Sequence, residues 1–183
     1  MSVGIHRVGV VGAGTMGNGI AQVFAAAGYP VTMRDLGAEF LNRGMATVSK
    51  SLDRTISRGK LTDQDRDAVL ARVHPTTELE DLAQCDIVVE AILENYELKA
   101  GLIRELDAIC GANTIFATNT SSISVTQIAA ASNNPSRMVG MHFFLCRRAQ
   151  ILVVPGLEAG NMLAKNSPTA LTSTFGEPIV RKR

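Results

Sequence analysis

Apolar residues along this chain gather in short β-branched runs, separated by longer stretches in which they recur at helical spacing. Residues 5–11 (Ile-His-Arg-Val-Gly-Val-Val) predict a buried strand. A glycine turn follows. Met16 to Ala27 then reads as an alanine-rich helix ended by Gly28, a residue that tolerates positive φ. Tyr29 to Arg34 predicts a second strand ending at Asp35. Glu39 to Arg58 predicts a helix with Leu41, Met45, Val48 and Leu52 on one face. Thr62, with Asp65 three residues on, predicts an N-cap for a helix running through Val73, so these two stretches form a helical hairpin. Asp86–Ala91, Thr114–Thr118 and Met138–Phe144 predict further strands, with helices over Leu98–Cys110 and Val125–Ala131 between them. Strands alternating with helices imply an α/β fold: a doubly wound, mostly parallel sheet covered on both faces, with the hairpin inserted.

The pattern changes at residue 145. Residues 1–144 read as one domain, whereas residues 145–183 hold three of the six prolines, one aromatic (Phe175) and little sustained periodicity beyond Gln150–Val154. This tail is predicted to be irregular. It also carries six basic residues against two acids, leaving a net −3 on the first 144 residues within an overall charge of +1. Such a balance gives no electrostatic signal for nucleic acid or a membrane surface. No signal peptide and no membrane-length apolar run is read, and a soluble cytoplasmic protein is the expectation. Cys85, Cys110 and Cys146 form no CxxC pair and no Cys/His ligand spacing, so no metal site is predicted.

Candidate chemistry starts at Gly12-Ala13-Gly14-Thr15-Met16-Gly17. A GxGxxG match alone is weak, but this one follows a predicted strand and opens a predicted helix, as the Rossmann dinucleotide fold requires. The first glycine permits the tight turn, the second lets a diphosphate approach the backbone, and the third lets helix pack on strand. The free N–H groups at the helix start, Thr15 and Met16 among them, then face the phosphates. The competing reading is a tight turn without a ligand. Asp35, 18 residues after Gly17, suits the ribose hydroxyls of NAD and repels a 2′-phosphate; a solvated turn aspartate is the alternative, and Arg34 beside it leaves an opening for NADP.

Three later segments narrow the class. Glu90-Ala91-Ile92-Leu93-Glu94-Asn95-Tyr96-Glu97-Leu98-Lys99, Ala117-Thr118-Asn119-Thr120-Ser121-Ser122 and Gly140-Met141-His142-Phe143-Phe144 follow the glycine turn in that order. Together they resemble the NAD-binding Rossmann domain of 3-hydroxyacyl-CoA dehydrogenases, over about residues 4–144, with the 3-hydroxybutyryl-CoA enzymes the nearest group. The resemblance implies NAD-dependent oxidation of an (S)-3-hydroxyacyl-CoA thioester in fatty acid metabolism. It places Glu94 and Lys99 near the nicotinamide half of NAD. It assigns Ser121 a hydrogen bond to the substrate 3-oxygen or the nicotinamide side, Asn119 the shaping of the same loop, and His142 the role of general base. The chemistry suits that residue type, since an imidazole takes and returns a proton near neutrality. Other readings stand beside these: His142 as a packed core residue, Ser121 and Ser122 as caps of the next helix in competition with Ser124, and Glu94 and Lys99 as charges on a solvated helix start. His6 and His74 read as surface or strand-end histidines.

After Phe144 the family continues "N-P-V-P-x-M-K-L-V-E", its glutamate orienting the histidine. Here Leu145 stands at the asparagine position and Val154 at the glutamate position. Leu145-Cys146-Arg147 is what a Pro-Val-Pro codon run yields when read one base late, so a frame change accounts for the departure; true divergence, leaving the faint likeness of residues 152–157, is the alternative. The family's C-terminal helical domain, through which its members dimerise and close on acyl-CoA, is expected to be absent. Impaired turnover follows as an expectation, and the alternative function is a non-catalytic NAD-binding module or an inactive truncated product.

Overall fold

The computed structural model describes residues 4–144 and 150–151. Strands β1 (Val8–Val11), β2 (Val31–Arg34), β3 (Val73–Thr76), β4 (Ile87–Glu90), β5 (Ile115–Thr118) and β6 (Met138–Gly140) form one sheet in the order β3-β2-β1-β4-β5-β6. Every pairing in it is parallel. Helices α1 (Thr15–Ala26), α2 (Ala38–Ile56), α3 (Asp63–Ala71), α4 (Tyr96–Ile109) and α5 (Val125–Ala129) connect these strands.

Alternation within the strands explains the two covered faces. Val8, Val10, Val31, Met33, Ile87, Val89, Ala117 and Val139 pack with Ile20, Phe24, Leu41, Val48, Leu52 and Val69 of α1, α2 and α3. The intervening positions Val11, Val88, Phe116 and Met138 pack with Leu102, Ile103, Leu106 and Ile128 of α4 and α5. Both faces of the central strands are buried, which is why those strands read as unbroken apolar runs. Thr62 and Asp65 form the expected capping box of α3, and Gly28 follows α1 at φ +98°.

Two elements differ from the sequence reading. Val73 begins strand β3 rather than ending a helix: α3 stops at Ala71, and Val73–Thr76 pairs with β2. β3 is an edge strand, so it accommodates Pro75 and exposes His74. Nor is Met138–Phe144 one strand. β6 ends at Gly140, Met141 and His142 leave the sheet, and β7 (Phe143–Phe144) pairs antiparallel with β8 (Gln150–Ile151). Apart from these two residues of β8, the expectation of an irregular 145–183 tail, with Leu145, Cys146, Arg147 and Val154, lies outside the described residues.

The strand order reverses between β1 and β4. The first half of the chain grows outward through β2 and β3, and the second half returns to the other side of β1. An open α/β sheet presents its ligand crevice at such a switch point, beyond the carboxyl ends of the strands. Among the described residues no helix is long and apolar enough to cross a membrane.

Candidate active site

The strand ends line up into a ledge. Arg34, Val11, Glu90, Thr118 and Gly140 share one row across β2, β1, β4, β5 and β6. One residue further on, amide hydrogen bonds continue the row: Gly12 to the Arg34 carbonyl (2.8 Å), Ala91 to Val11 (2.8 Å), Asn119 to Glu90 (2.9 Å) and Met141 to Thr118 (2.9 Å). Strands lie about 4.8 Å apart, so Asp35 sits one spacing from the glycine turn on one side, while Met141 lies three spacings, about 14 Å, away on the other.

The three glycines of the turn do different work. Gly12 holds φ +101°, and a Cβ there would come within 2.6 Å of the Ala91 carbonyl oxygen. A Cβ on Gly17 would fall 1.6 Å from the Gly12 carbonyl oxygen, so α1 packs directly onto the turn. A Cβ on Gly14 would meet nothing within 4 Å. Gly14 caps α1 without any side-chain hydrogen bond, and the first turn carries no acid. Among the described residues no protein acceptor meets the amides of Thr15, Met16 and Gly17. Unmet donors, the positive end of a helix dipole and open space beside a backbone fit an anionic diphosphate. Asn18, buried behind the turn, ties it down through hydrogen bonds from Nδ2 to the carbonyls of Gly14 (2.6 Å) and Ala13 (3.4 Å).

Asp35 is held rather than solvated. Its Oδ2 accepts from the Ala13 amide (2.6 Å) and its Oδ1 from the Leu36 amide (2.7 Å), which ties the carboxylate to the glycine turn. Arg34 turns away, its Nε donating to the Thr77 carbonyl (3.2 Å).

At the other half of the ledge a polar network runs from the sheet interior to its surface. Glu90 and Lys99 are each 1% exposed at their side chains, with Lys99 Nζ 2.6 Å from Glu90 Oε1. Glu90 also accepts from Thr118 Oγ1 (2.7 Å) and the Ile92 amide (2.8 Å). Lys99 Nζ reaches on to Glu94 Oε2 at 3.3 Å, and Glu94 is 38% exposed. Glu94 Oε1 accepts from the Thr120 hydroxyl, from Ser122 Oγ (2.9 Å) and from the Ser122 amide (3.3 Å). Lys99 is therefore not a charge on a solvated helix start; among the described residues its ammonium pairs with Glu90 and with the partly exposed Glu94. Burial by itself raises the Glu94 carboxyl, but the Thr120 and Ser122 hydrogen bonds and the Lys99 ammonium outweigh it and hold the pKa down to about 2.

That depression has a sign. The folded pKa lies below the ordinary 4.5, so the stabilisation is fully present above pH 4.5 and is lost as pH falls toward 2. In a carboxyl-detected NMR titration Glu94 is expected to stay ionised through pH 3. Thr120→Val, which deletes one donor, is expected to move the transition up toward 4.5; an unmoved midpoint would contradict this assignment of cause.

Asn119 and His142 are brought together by the backbone. The Asn119 amide bonds to β4, and its Oδ1 accepts from the Phe143 amide (2.8 Å). With the Met141 amide held by Thr118, the residues on either side of His142 are pinned to the last residue of β5 and to the residue after it. His142 thus emerges half-buried just past the end of β6, at the ledge. Ser121 is exposed at the tip of the preceding loop. The serines do not cap α5: its N-cap is Ser124, which makes no side-chain cap bond, and Ser122 turns to Glu94. Sequence reading missed Asn18, Thr118, Thr120 and the role of Glu90. Glu90 left a signal, as an acid ending the apolar run Ile87-Val88-Val89, and Thr118 and Thr120 stand in the 117–122 segment that carries the resemblance, without a role of their own there. Among the described residues no group of three or more His, Cys, Asp or Glu side chains is placed to hold a metal.

Residues 7–158 match the family "3-hydroxyacyl-CoA dehydrogenase, NAD binding domain". A probable 3-hydroxybutyryl-CoA dehydrogenase of Deinococcus radiodurans is 49% identical over 137 residues, 75% of this chain and 49% of that protein. A 3-hydroxybutyryl-CoA dehydrogenase of Mycobacterium tuberculosis is 37% identical over 185 aligned positions, taking in 100% of this chain and 63% of that protein. The crystal structure of (S)-3-hydroxybutyryl-CoA dehydrogenase from Ralstonia eutropha superposes with a TM-score of 0.86 at 43% identity, covering 95% of this chain and 62% of that one. The chain spans about half to two thirds of the length of these relatives.

Proposed function

The chain belongs to the 3-hydroxyacyl-CoA dehydrogenase family through its NAD-binding domain, and from that membership we propose that its ledge serves oxidation of an (S)-3-hydroxyacyl-CoA, of the 3-hydroxybutyryl type, to the 3-oxoacyl-CoA. NAD, when bound, supplies the acceptor for the hydride that leaves the C3 carbon. The amides of Gly14, Thr15, Met16 and Gly17 would hold its diphosphate, and Asp35 would accept from the adenosine ribose hydroxyls. Glu94, beyond β4 on the far side of the glycine turn from Asp35, would then face the nicotinamide half.

His142 removes the proton of the substrate hydroxyl, and Ser121 donates to the 3-oxygen. Asn119 fixes where the imidazole stands by holding the Phe143 amide. General-base assistance of this kind is worth about 10²–10⁴-fold. Counted without gaps, Val154 stands where the family has its histidine-orienting glutamate, and turnover below that of the relatives is expected.

The observation that carries the reading is the contrast among the three glycines: two are required by backbone contact and the third opens onto empty space at a helix start. Calorimetry with NAD, set beside an assay of acetoacetyl-CoA reduction by NADH, tests it. Binding with measurable turnover is expected, and absence of NAD binding would overturn the reading. The expectation that residues 145–183 depart from the family motivates a second reading, a non-catalytic NAD-binding module, which binding with no turnover at any enzyme concentration would support.

A further inference from the structure

The buried carboxylate at the end of β4 has no part in the scheme above. Glu90 is an acid in an otherwise apolar strand, 1% exposed, and three donors converge on it: Lys99 Nζ, Thr118 Oγ1 and the Ile92 amide. Burying an ionised carboxylate is costly and is tolerated only when it is paired and hydrogen-bonded. Packing alone does not call for this arrangement, since a buried ion pair is often replaceable by apolar side chains with no loss of stability. The pair instead fixes a charge pattern. Glu90 and Lys99 cancel, and Lys99 also touches Glu94. The three side chains therefore carry one excess negative charge, displayed at Glu94 on the rim of the crevice.

We propose that Glu90 is a positioning residue that anchors Lys99 beneath Glu94 and sets this local charge sum at minus one, so that the crevice favours the oxidised, cationic nicotinamide over the reduced, neutral one. The inference rests on the NAD reading of the site, because the cofactor's course from Asp35 across the α1 amides is what brings its second ring over β4. One charge acting across a few ångströms of partly desolvated crevice changes the relative affinity of the two cofactor forms by about tenfold.

The direction follows from the charge sum of each variant. Glu90→Gln keeps the shape and the Oε1 acceptor for the Ile92 amide, with the new Nε2 able to donate to the Thr118 hydroxyl, but brings the sum to zero. Glu94→Gln does the same from the rim. The double variant Glu90→Gln/Lys99→Met removes one charge of each sign and returns the sum to minus one, which a purely structural role for Glu90 does not anticipate. Dissociation constants for NADH by nicotinamide fluorescence, and for NAD by competition, give the ratio for the 183-residue chain and each variant. The affinity of NAD relative to NADH is expected to fall about tenfold in both single variants and to return to within about twofold of the parent in the double variant. An unchanged ratio in Glu90→Gln, or a double variant as impaired as the single one, would overturn the proposal while leaving the NAD site intact. If Glu90→Gln does not fold, Glu94→Gln reads the same sum, and an unchanged ratio there overturns it equally. Failure of the parent chain to bind either form would instead overturn the NAD reading and this inference together.

Discussion

Gly17→Ala is expected to abolish NAD binding and to lower stability, whereas Gly14→Ala, three residues away, weakens binding about 100-fold and leaves stability alone. At position 17 the new methyl falls 1.6 Å from the Gly12 carbonyl oxygen, and that obstacle is backbone rather than the end of a flexible side chain. Helix α1 must move off the turn. Overpacking costs typically run to about 3 kcal/mol, and with a rigid obstacle the upper end applies. For a chain of this size that corresponds to a drop of about 10 °C in Tm. The displaced helix no longer presents its first amides to the diphosphate.

At position 14 the methyl meets nothing within 4 Å, and the backbone, at φ −63°, suits alanine. Its only effect is to occupy the space assigned to the diphosphate. Losing one or two charge-assisted hydrogen bonds weakens binding by about 100-fold. Thermal unfolding and NADH titration of the two variants separate the roles. If Gly14→Ala bound NADH as the parent does, the space beside Gly14 would not be the phosphate site.

His142→Gln is expected to reduce acetoacetyl-CoA turnover by about 10²–10⁴-fold while leaving NAD affinity within about twofold. Glutamine keeps a polar side chain of similar reach but cannot take up the proton. The backbone on both sides of residue 142 is pinned by Thr118 and Asn119, so the substitution leaves the ledge in place. Asn119→Ala is expected to act in the same direction by releasing the Phe143 amide, with a smaller loss because the base itself survives. Comparison of turnover with NAD dissociation constants checks both variants. A His142→Gln chain that turns over like its parent would remove the imidazole from the chemistry.

How much of this was legible in the sequence depended on the range of the interactions concerned. The glycine turn, the Thr62–Asp65 capping box and the Gly28 stop involve neighbours within a few residues, and the structure places them as expected. β3 escaped because its two middle residues, His74 and Pro75, face solvent on an edge strand, which leaves no alternation to read. The break after Gly140 escaped because Asn119 draws the Phe143 amide aside across 24 residues of sequence. Glu90 escaped for the same reason: its partners Lys99 and Thr118 lie on a helix and on the next strand, and only the folded sheet brings them to one carboxylate. Residue types alone pointed to Glu94 and Lys99 as equals, whereas burial separates them into a rim group and a hidden one.

An amide-resolved NMR titration of the purified chain with NAD tests the central assignment most directly. Saturable binding is expected, with the largest shifts at the amides of Gly14, Thr15, Met16 and Gly17, a second set at Asp35, and a third at Glu94 and His142. Shifts centred anywhere else, or none at saturating NAD, would contradict it.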